Sequence, residues 1–194
     1  MSETIKRLNR EEMNEIYESC MRRDFPEEEL IPWKLGRARN TQGRYEGFGL
    51  YDRDQLCGYA FFIKTGPQLE YRMLDYYAVD SSRRGKGYGS RFLELLSEAL
   101  KECGGIFLES ERILSAADEA DKKIRERRIA FYLRNGCVFT ELETKVFGAE
   151  YSILYLPISR EYQKDQAGEI MADVYRLMFT PEEYEAHVMF ENRK

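Results

Sequence analysis

One histidine, five prolines and one tryptophan are all that 194 residues carry of those types. The shortage of histidine excludes most of one class of chemistry. A Ser-His-Asp or Cys-His apparatus needs an imidazole as proton carrier. It would have to use His187, whose neighbours Glu185, Ala186, Val188 and Met189 read as the flank of a terminal helix. The four cysteines, Cys20, Cys57, Cys103 and Cys137, are scattered, with no C-x-x-C pair and no histidine nearby. That pattern argues against zinc, so no metal is expected. Buried thiols in a reducing cytoplasm fit it better than disulfides do. No apolar run approaches the ~18 residues of a membrane span. Met1 to Arg10 is too polar for a secretory leader. A soluble, cytoplasmic chain with no membrane partner is the expectation. An excess of positive charge is missing too: Lys+Arg number 30 against Asp+Glu 35, a net charge of −5. Nucleic acid is therefore not an expected partner, while a cationic small molecule is compatible with the balance.

What the chain does have is 43% hydrophobic and 13% aromatic residues, enough to exclude disorder as its main state. The length fits one domain with an appendage. Everything is organised around Tyr71 to Leu100. Met73 to Val79 is apolar and aromatic enough for a buried strand. Asp80 to Gly87 is a polar turn carrying Arg83, Arg84 and Lys86. From Tyr88 onward Phe92, Leu93, Leu96, Ala99 and Leu100 recur with helical spacing. The order is strand, basic glycine loop, helix. The first amides of a helix have no internal partner and sit at the positive end of its dipole. Gly85, Gly87 and Gly89 let an anion approach the backbone closely. Such a loop suits a phosphate or pyrophosphate. It is neither G-x-x-x-x-G-K-[ST] nor G-x-G-x-x-G, because Arg91 stands where the third glycine would be.

Elsewhere the pattern predicts a short strand over Thr4 to Leu8. A helix follows, capped by Asn9 with Glu12 as its reciprocal partner and apolar at Met13, Ile16, Tyr17 and Cys20. It ends at Asp24-Phe25-Pro26. Gly36 to Arg44 reads as a loop. Tyr45 to Tyr51 and Leu56 to Ile63 form a hairpin around Asp52-Arg53-Asp54. Gly104-Gly105 is expected to stop the central helix, and Ile106 to Glu111 to form the next strand. The charged run Arg112 to Arg128 reads as a solvated helix or excursion. Ile129 to Asn135 closes a helix with Gly136 behind it. Cys137 to Leu142 and Tyr151 to Leu156 are strands. Gly168 to Met178 is an amphipathic helix with Ile170, Met171, Val174, Leu177 and Met178 on one face, and Thr180-Pro181 starts another. The sum is a mixed α/β (α+β) layered fold: a central, mostly antiparallel twisted sheet with helices on both faces.

The loop matches [QR]-x-x-G-x-[GA] as Arg84, Gly87 and Gly89. It closely resembles the acetyl-coenzyme A pyrophosphate loop of the GNAT N-acetyltransferase superfamily. Y-Y-A-V-D before it is similar to that superfamily's fourth strand. Phe131-Tyr132-x-x-x-Gly136 resembles its [FL]-Y-x-x-x-G-[FY] segment, with Cys137 where an aromatic is commoner. The resemblance spans roughly Thr4 to Ile158. It implies a domain of residues 1–158 and a C-terminal helical extension, 159–194, packed on that domain or on a second copy in a homodimer.

The resemblance also implies chemistry. Acetyl-coenzyme A is the co-substrate. The backbone of Tyr77, Ala78 and Val79 meets its pantetheine arm. The Arg84, Gly85, Lys86, Gly87, Tyr88, Gly89 and Ser90 amides hold the pyrophosphate. Tyr132 is the general acid for the departing thiolate. The L-E of the fifth strand is similar to the L-E-V-R of the ribosomal-protein N-terminal acetylases, which makes Glu109 the base, with Asp75 and Glu111 as alternatives. The 22 residues between Glu109 and Tyr132 exceed the usual spacing, and Glu126 to Arg128 stand where a pantetheine-contacting Asn is expected. Glu27, Glu28, Glu29 and Trp33 read either as a solvated turn or as part of an acceptor pocket. An N-acetyltransferase acting on a small-molecule amine is the reading. An acyl-coenzyme A sensor without turnover and an interaction module built on the C-terminal helices are its rivals.

Overall fold

A computed structural model describes residues 3–26, 30 and 43–193. Glu27, Glu28, Glu29 and Trp33, and most of the expected loop from Gly36, lie outside the described residues. The elements are β1 (Glu3–Leu8), α1 (Arg10–Ile16), β2 (Tyr45–Asp52), β3 (Gln55–Thr65), β4 (Tyr71–Val79) and α2 (Tyr88–Ala99). They continue with β5 (Gly105–Glu111), α3 (Glu119–Arg134), β6 (Val138–Val146), β7 (Ala149–Pro157), α4 (Gln166–Met178), α5 (Pro181–His187) and β8 (Val188–Asn192). The fold class is the expected one, mixed α/β with mostly antiparallel strands. The described chain divides into two compact units, residues 1–64 with 74–100, and residues 65–73 with 101–194.

In the first unit the strands run β1-β2-β3-β4 in order. The β2–β3 hairpin turns through Arg53 (φ 49°) and Asp54 (φ 67°). Two left-handed residues in succession match the natural twist of a hairpin. α1 begins with the predicted capping box: Asn9 accepts from Glu12 N, and the Glu12 carboxylate accepts from Asn9 N. Its tail departs from the sequence reading. A π-helical stretch, Tyr17–Met21, and a short turn, Arg22–Asp24, follow Ile16. The wider turn moves the buried face, so Met21 is fully buried and Cys20 only partly so. α2 buries Phe92, Leu93 and Leu96 and ends at Ala99. It stops before Gly104-Gly105, contrary to the sequence reading. Gly105 instead opens β5, where an added Cβ would meet the Tyr155 hydroxyl at 2.1 Å.

In the second unit the order is β5-β7-β6-β8. β5 and β7 are antiparallel, with Glu109 opposite Ile153. The charged run after β5 resolves into a short turn, Ile113–Ser115, and then α3, capped by Asp118. α3 closes at Gly136 (φ 91°), as its sequence predicts. α4 buries Ala167, Ile170, Met171, Val174 and Tyr175, and it packs on β6 of the same chain. Thr65 Oγ1 anchors it, donating to Asp173 Oδ2 at 2.8 Å. Thr180 and Glu183 form a second capping box at α5. β8 has no counterpart in the sequence reading; it pairs with β6, Phe190 opposite Thr144.

Candidate active site

The loop after β4 is shaped by its own residues. Asp80 Oδ1 accepts from Ser82 N at 3.0 Å and from Ser82 Oγ at 2.5 Å, which sets a short turn over Ser81–Arg83. The chain then passes through Gly85 (φ 73°) and Gly87 (φ 87°). A Cβ at either position would meet nothing within 4 Å, so the backbone is open on that side. Both sit in the left-handed region, where a side chain is strained. Gly87 is the N-cap of α2 and supplies no side-chain hydrogen bond, and the first turn holds no acidic residue. The first intrahelical bond there is Arg91 N to Gly87 O, 3.0 Å. The amides of Tyr88, Gly89 and Ser90 precede it, which is the geometry of an anion seat.

The three loop cations divide into two kinds. Arg83 turns inward: Nη1 donates to Asp52 Oδ2 at 2.8 Å and to Tyr88 Oη at 2.7 Å, and Nη2 donates to Gln55 Oε1 at 2.7 Å. The hydrogen bonds from Arg83 and Tyr88 hold the Asp52 carboxyl below the usual carboxylate range. Arg84 donates to Val79 O at 3.1 Å and Lys86 to Ser82 O at 2.8 Å. Both are exposed, and neither has a carboxylate partner among the described residues. Tyr88 is buried, with its hydroxyl on Asp52 at 3.0 Å, so its side chain is held by the protein and only its amide stands in the open first turn. Tyr77 stacks on Phe92 and donates to Gly89 O at 2.6 Å, fixing the first turn of α2. Ala78 is buried and Val79 half-buried on β4.

The candidate bases have different surroundings. Asp75 accepts from Tyr45 Oη at 2.6 Å. Glu111 is paired with Arg125 at 3.2 Å and Arg128 at 2.8 Å, so both of its oxygens are engaged by arginines. Glu109, half-buried on β5, accepts a short hydrogen bond from the Tyr175 hydroxyl. Tyr175 is 1% exposed, and its hydroxyl also lies 3.0 Å from Thr144 Oγ1. Its single proton goes to Glu109, so Thr144 is the donor in that second contact. Burial first, and the Glu109 charge second, push the Tyr175 phenol well above its ordinary pKa. The sequence reading missed Tyr175. Its signal was a hydroxyl four residues after Met171, on the apolar face of α4.

Tyr132 lies on α3 and is buried. Burial pushes its hydroxyl up to about 12, with Arg128 acting in the opposite sense. Burial likewise pushes the neighbouring Cys137 thiol up to about 12. Glu126 and Arg127, near the expected Asn position, are exposed on α3. Among the described residues no group of three or more His, Cys, Asp or Glu side chains is placed to hold a metal ion. No helix there is long and apolar enough to cross a membrane.

Residues 10–137 match the acetyltransferase (GNAT) family. The chain belongs to that family and is an acyltransferase with acetyl-coenzyme A as co-substrate. Solved structures share the fold. A GNAT-family acetyltransferase from Bacteroides thetaiotaomicron is 22% identical, with a TM-score of 0.66 over 86% of this chain and 92% of that one. The ribosomal-protein-S18-alanine N-acetyltransferase from Escherichia coli is 24% identical, with a TM-score of 0.56 over 84% and 97%. An aminoglycoside 6′-N-acetyltransferase complexed with coenzyme A is 17% identical, with a TM-score of 0.62 over 82% and 99%. No curated protein sequence matches the chain.

Proposed function

We propose that the enzyme moves the acetyl group of acetyl-coenzyme A to the amine of a small molecule, by direct attack within a ternary complex. The observation that carries this reading is the uncapped, glycine-entered N-terminus of α2. The amides of Arg84 to Ser90 hold the pyrophosphate, helped by the charges of Arg84 and Lys86. The edge of Tyr77, Ala78 and Val79 pairs with the pantetheine arm. A net charge of −5 favours a cationic acceptor. One structural neighbour acetylates an aminoglycoside, which is an acceptor of that kind.

The acceptor amine is protonated at neutral pH and must lose a proton before its lone pair can attack. Glu109 takes it. The nitrogen then bonds to the thioester carbonyl carbon, and the carbon–sulfur bond breaks to release coenzyme A. Tyr132 gives its proton to the departing sulfur, and the second proton that the nitrogen sheds as the amide forms passes through solvent to the Tyr132 oxygen, which restores the phenol. An ordinary thiol titrates near ~8.5 and an ordinary phenol near ~10, so in water that transfer would be uphill. The buried surroundings of Tyr132 push it up to about 12, and they push the neighbouring Cys137 thiol up to about 12 as well. A thiolate departing into a water-poor site is raised by the same desolvation, which narrows the gap to the phenol.

The test uses two variants and a panel of amines with acetyl-coenzyme A. Tyr132→Phe is expected to lower kcat about 10–100-fold with unchanged acetyl-coenzyme A affinity. Glu109→Gln is expected to lose most activity at low pH and to recover at high pH, where the amine is already neutral. Unchanged rates and pH profiles in both variants would overturn the assignment. Loss of cofactor affinity in Tyr132→Phe would make that residue a binding group. Tight cofactor binding with no transfer to any amine would return the chain to the sensor reading.

A further inference from the structure

We infer that Tyr175 is a positioning residue for the acetyl transfer, acting by orienting and charging the Glu109 carboxylate. The inference rests on the reading of Glu109 as base. It concerns a part of the chain, α4 to β8, that lies wholly outside the family-matched residues 10–137.

The hydroxyl of Tyr175 donates to Glu109 Oε1 and accepts from Thr144 Oγ1. A hydrogen bond made to the ionised form of a carboxylate favours that form and fixes the oxygen that accepts it. The tyrosine is itself held rigidly. Phe179 stacks 6.1 Å away at 26°, and the Phe190 ring of β8 lies 5.9 Å away. α4 is tied at its middle, where Thr65 Oγ1 donates to Asp173 at 2.8 Å and to Ile170 O at 3.4 Å. A tyrosine that only filled the core would be satisfied by Thr144 alone. This one directs its proton to a half-buried carboxylate on a strand 66 residues away in sequence. Within this unit the ionisable groups on that face include Glu111 of β5, paired with Arg125 and Arg128 of α3, Tyr151 of β7, opposite Glu111, and Tyr155 of β7, whose hydroxyl lies on Gly104 O and Arg160 O.

The experiment measures kcat/KM for an acceptor amine against pH in the full-length parent, Tyr175→Phe, Thr144→Val, Glu109→Gln and the Glu109→Gln/Tyr175→Phe double variant. In Tyr175→Phe the acidic limb is expected to move up by about one pH unit, with about a 10-fold loss below the limb and less than about threefold on the plateau. Thr144→Val removes the donor to Tyr175 and is expected to shift the limb the same way by less than about half a unit. The second substitution is expected to add nothing once Glu109 is Gln. A parental limb in Tyr175→Phe beside a crippled Glu109→Gln would overturn the inference and leave the base assignment standing. A Glu109→Gln enzyme with parental rate and profile would overturn the base assignment and the inference with it. Should Tyr175→Phe fail to fold, Thr144→Val decides: an unmoved limb counts against the positioning role.

Discussion

The first turns of α2 and α3 handle the same orphan amides in opposite ways. At α3 the Asp118 carboxylate accepts from Ala120 N and Asp121 N, each at 2.8 Å, and Glu119 and Asp121 add negative charge. That end is satisfied by the protein and presents nothing to a ligand. At α2 the cap is a left-handed glycine without a side chain, and the first turn holds no acid. Its satisfaction is left to water or to an incoming anion. The side chains that could have capped α2 are used elsewhere. Asp80 caps its own short turn, and Asp52 holds Arg83. A capped helix end and an open one therefore differ by where the nearest carboxylate is spent.

The strongest way to break the contrast is to give α2 the acid that α3 has. Ser90→Glu places a carboxylate in the first turn. It is expected to weaken acetyl-coenzyme A binding about 10–100-fold by calorimetry, through charge repulsion with the pyrophosphate. The same change should leave the protein as stable as the parent or slightly more so, since the carboxylate suits the helix dipole. Unweakened binding would mean that the pyrophosphate sits elsewhere.

A smaller effect is expected from Asp52→Asn, which releases Arg83 and Tyr88 from the hairpin behind the loop. KM for acetyl-coenzyme A should rise about 3–10-fold while kcat at saturation holds. The variant also carries a pH signature. Arg83 and Tyr88 hold the Asp52 carboxyl below its ordinary range in the folded protein. Its contribution to stability is complete above the ordinary carboxyl value of ~3.9 and is lost as pH falls through the lowered folded value. Parent and variant should differ at neutral pH in a thermal melt and converge in acid. Equal melting at neutral pH would show that the clamp does not matter.

The smallest change is the reciprocal one. Asp118→Ala should cost about 1 kcal/mol, or roughly 2–4 °C in Tm, without altering KM for acetyl-coenzyme A. A changed KM would blur the distinction between the two helix ends.

What the sequence revealed of this site was what is written locally. The strand, the glycines and the helical period of Phe92, Leu93 and Leu96 follow one another within thirty residues, so the loop was legible. So were the capping box at Asn9 and the cap at Thr180, whose partners are three residues away. The pairings that cross the fold were not legible. Nothing near Arg83 marks it for Asp52, which lies 31 residues back, so it reads as one more cation for the ligand. Glu111 shares Glu109's strand face and reads as an alternative to it until Arg125 and Arg128 arrive from α3. β8 went unseen because Val188 to Asn192 continues directly from α5 with no turn residue between them, and only pairing with β6 makes it a strand. Tyr175 was passed over because helical periodicity counts apolar positions and has no rule for where a hydroxyl points.

The contact between Tyr175 and Glu109 also has a consequence in time. A ribosome adds roughly 5–20 residues per second. The chain carrying the glycine loop and Glu109 is therefore made roughly 3–13 s before the tyrosine that donates to that carboxylate, and Phe190, which backs the tyrosine, comes about a second or more later. A nascent chain would acquire the glycine loop and β5 well before Glu109 acquired its hydrogen-bond donor. Stalled translation after α3 would release a polypeptide with the glycine loop complete and the Glu109 carboxylate without the Tyr175 hydroxyl.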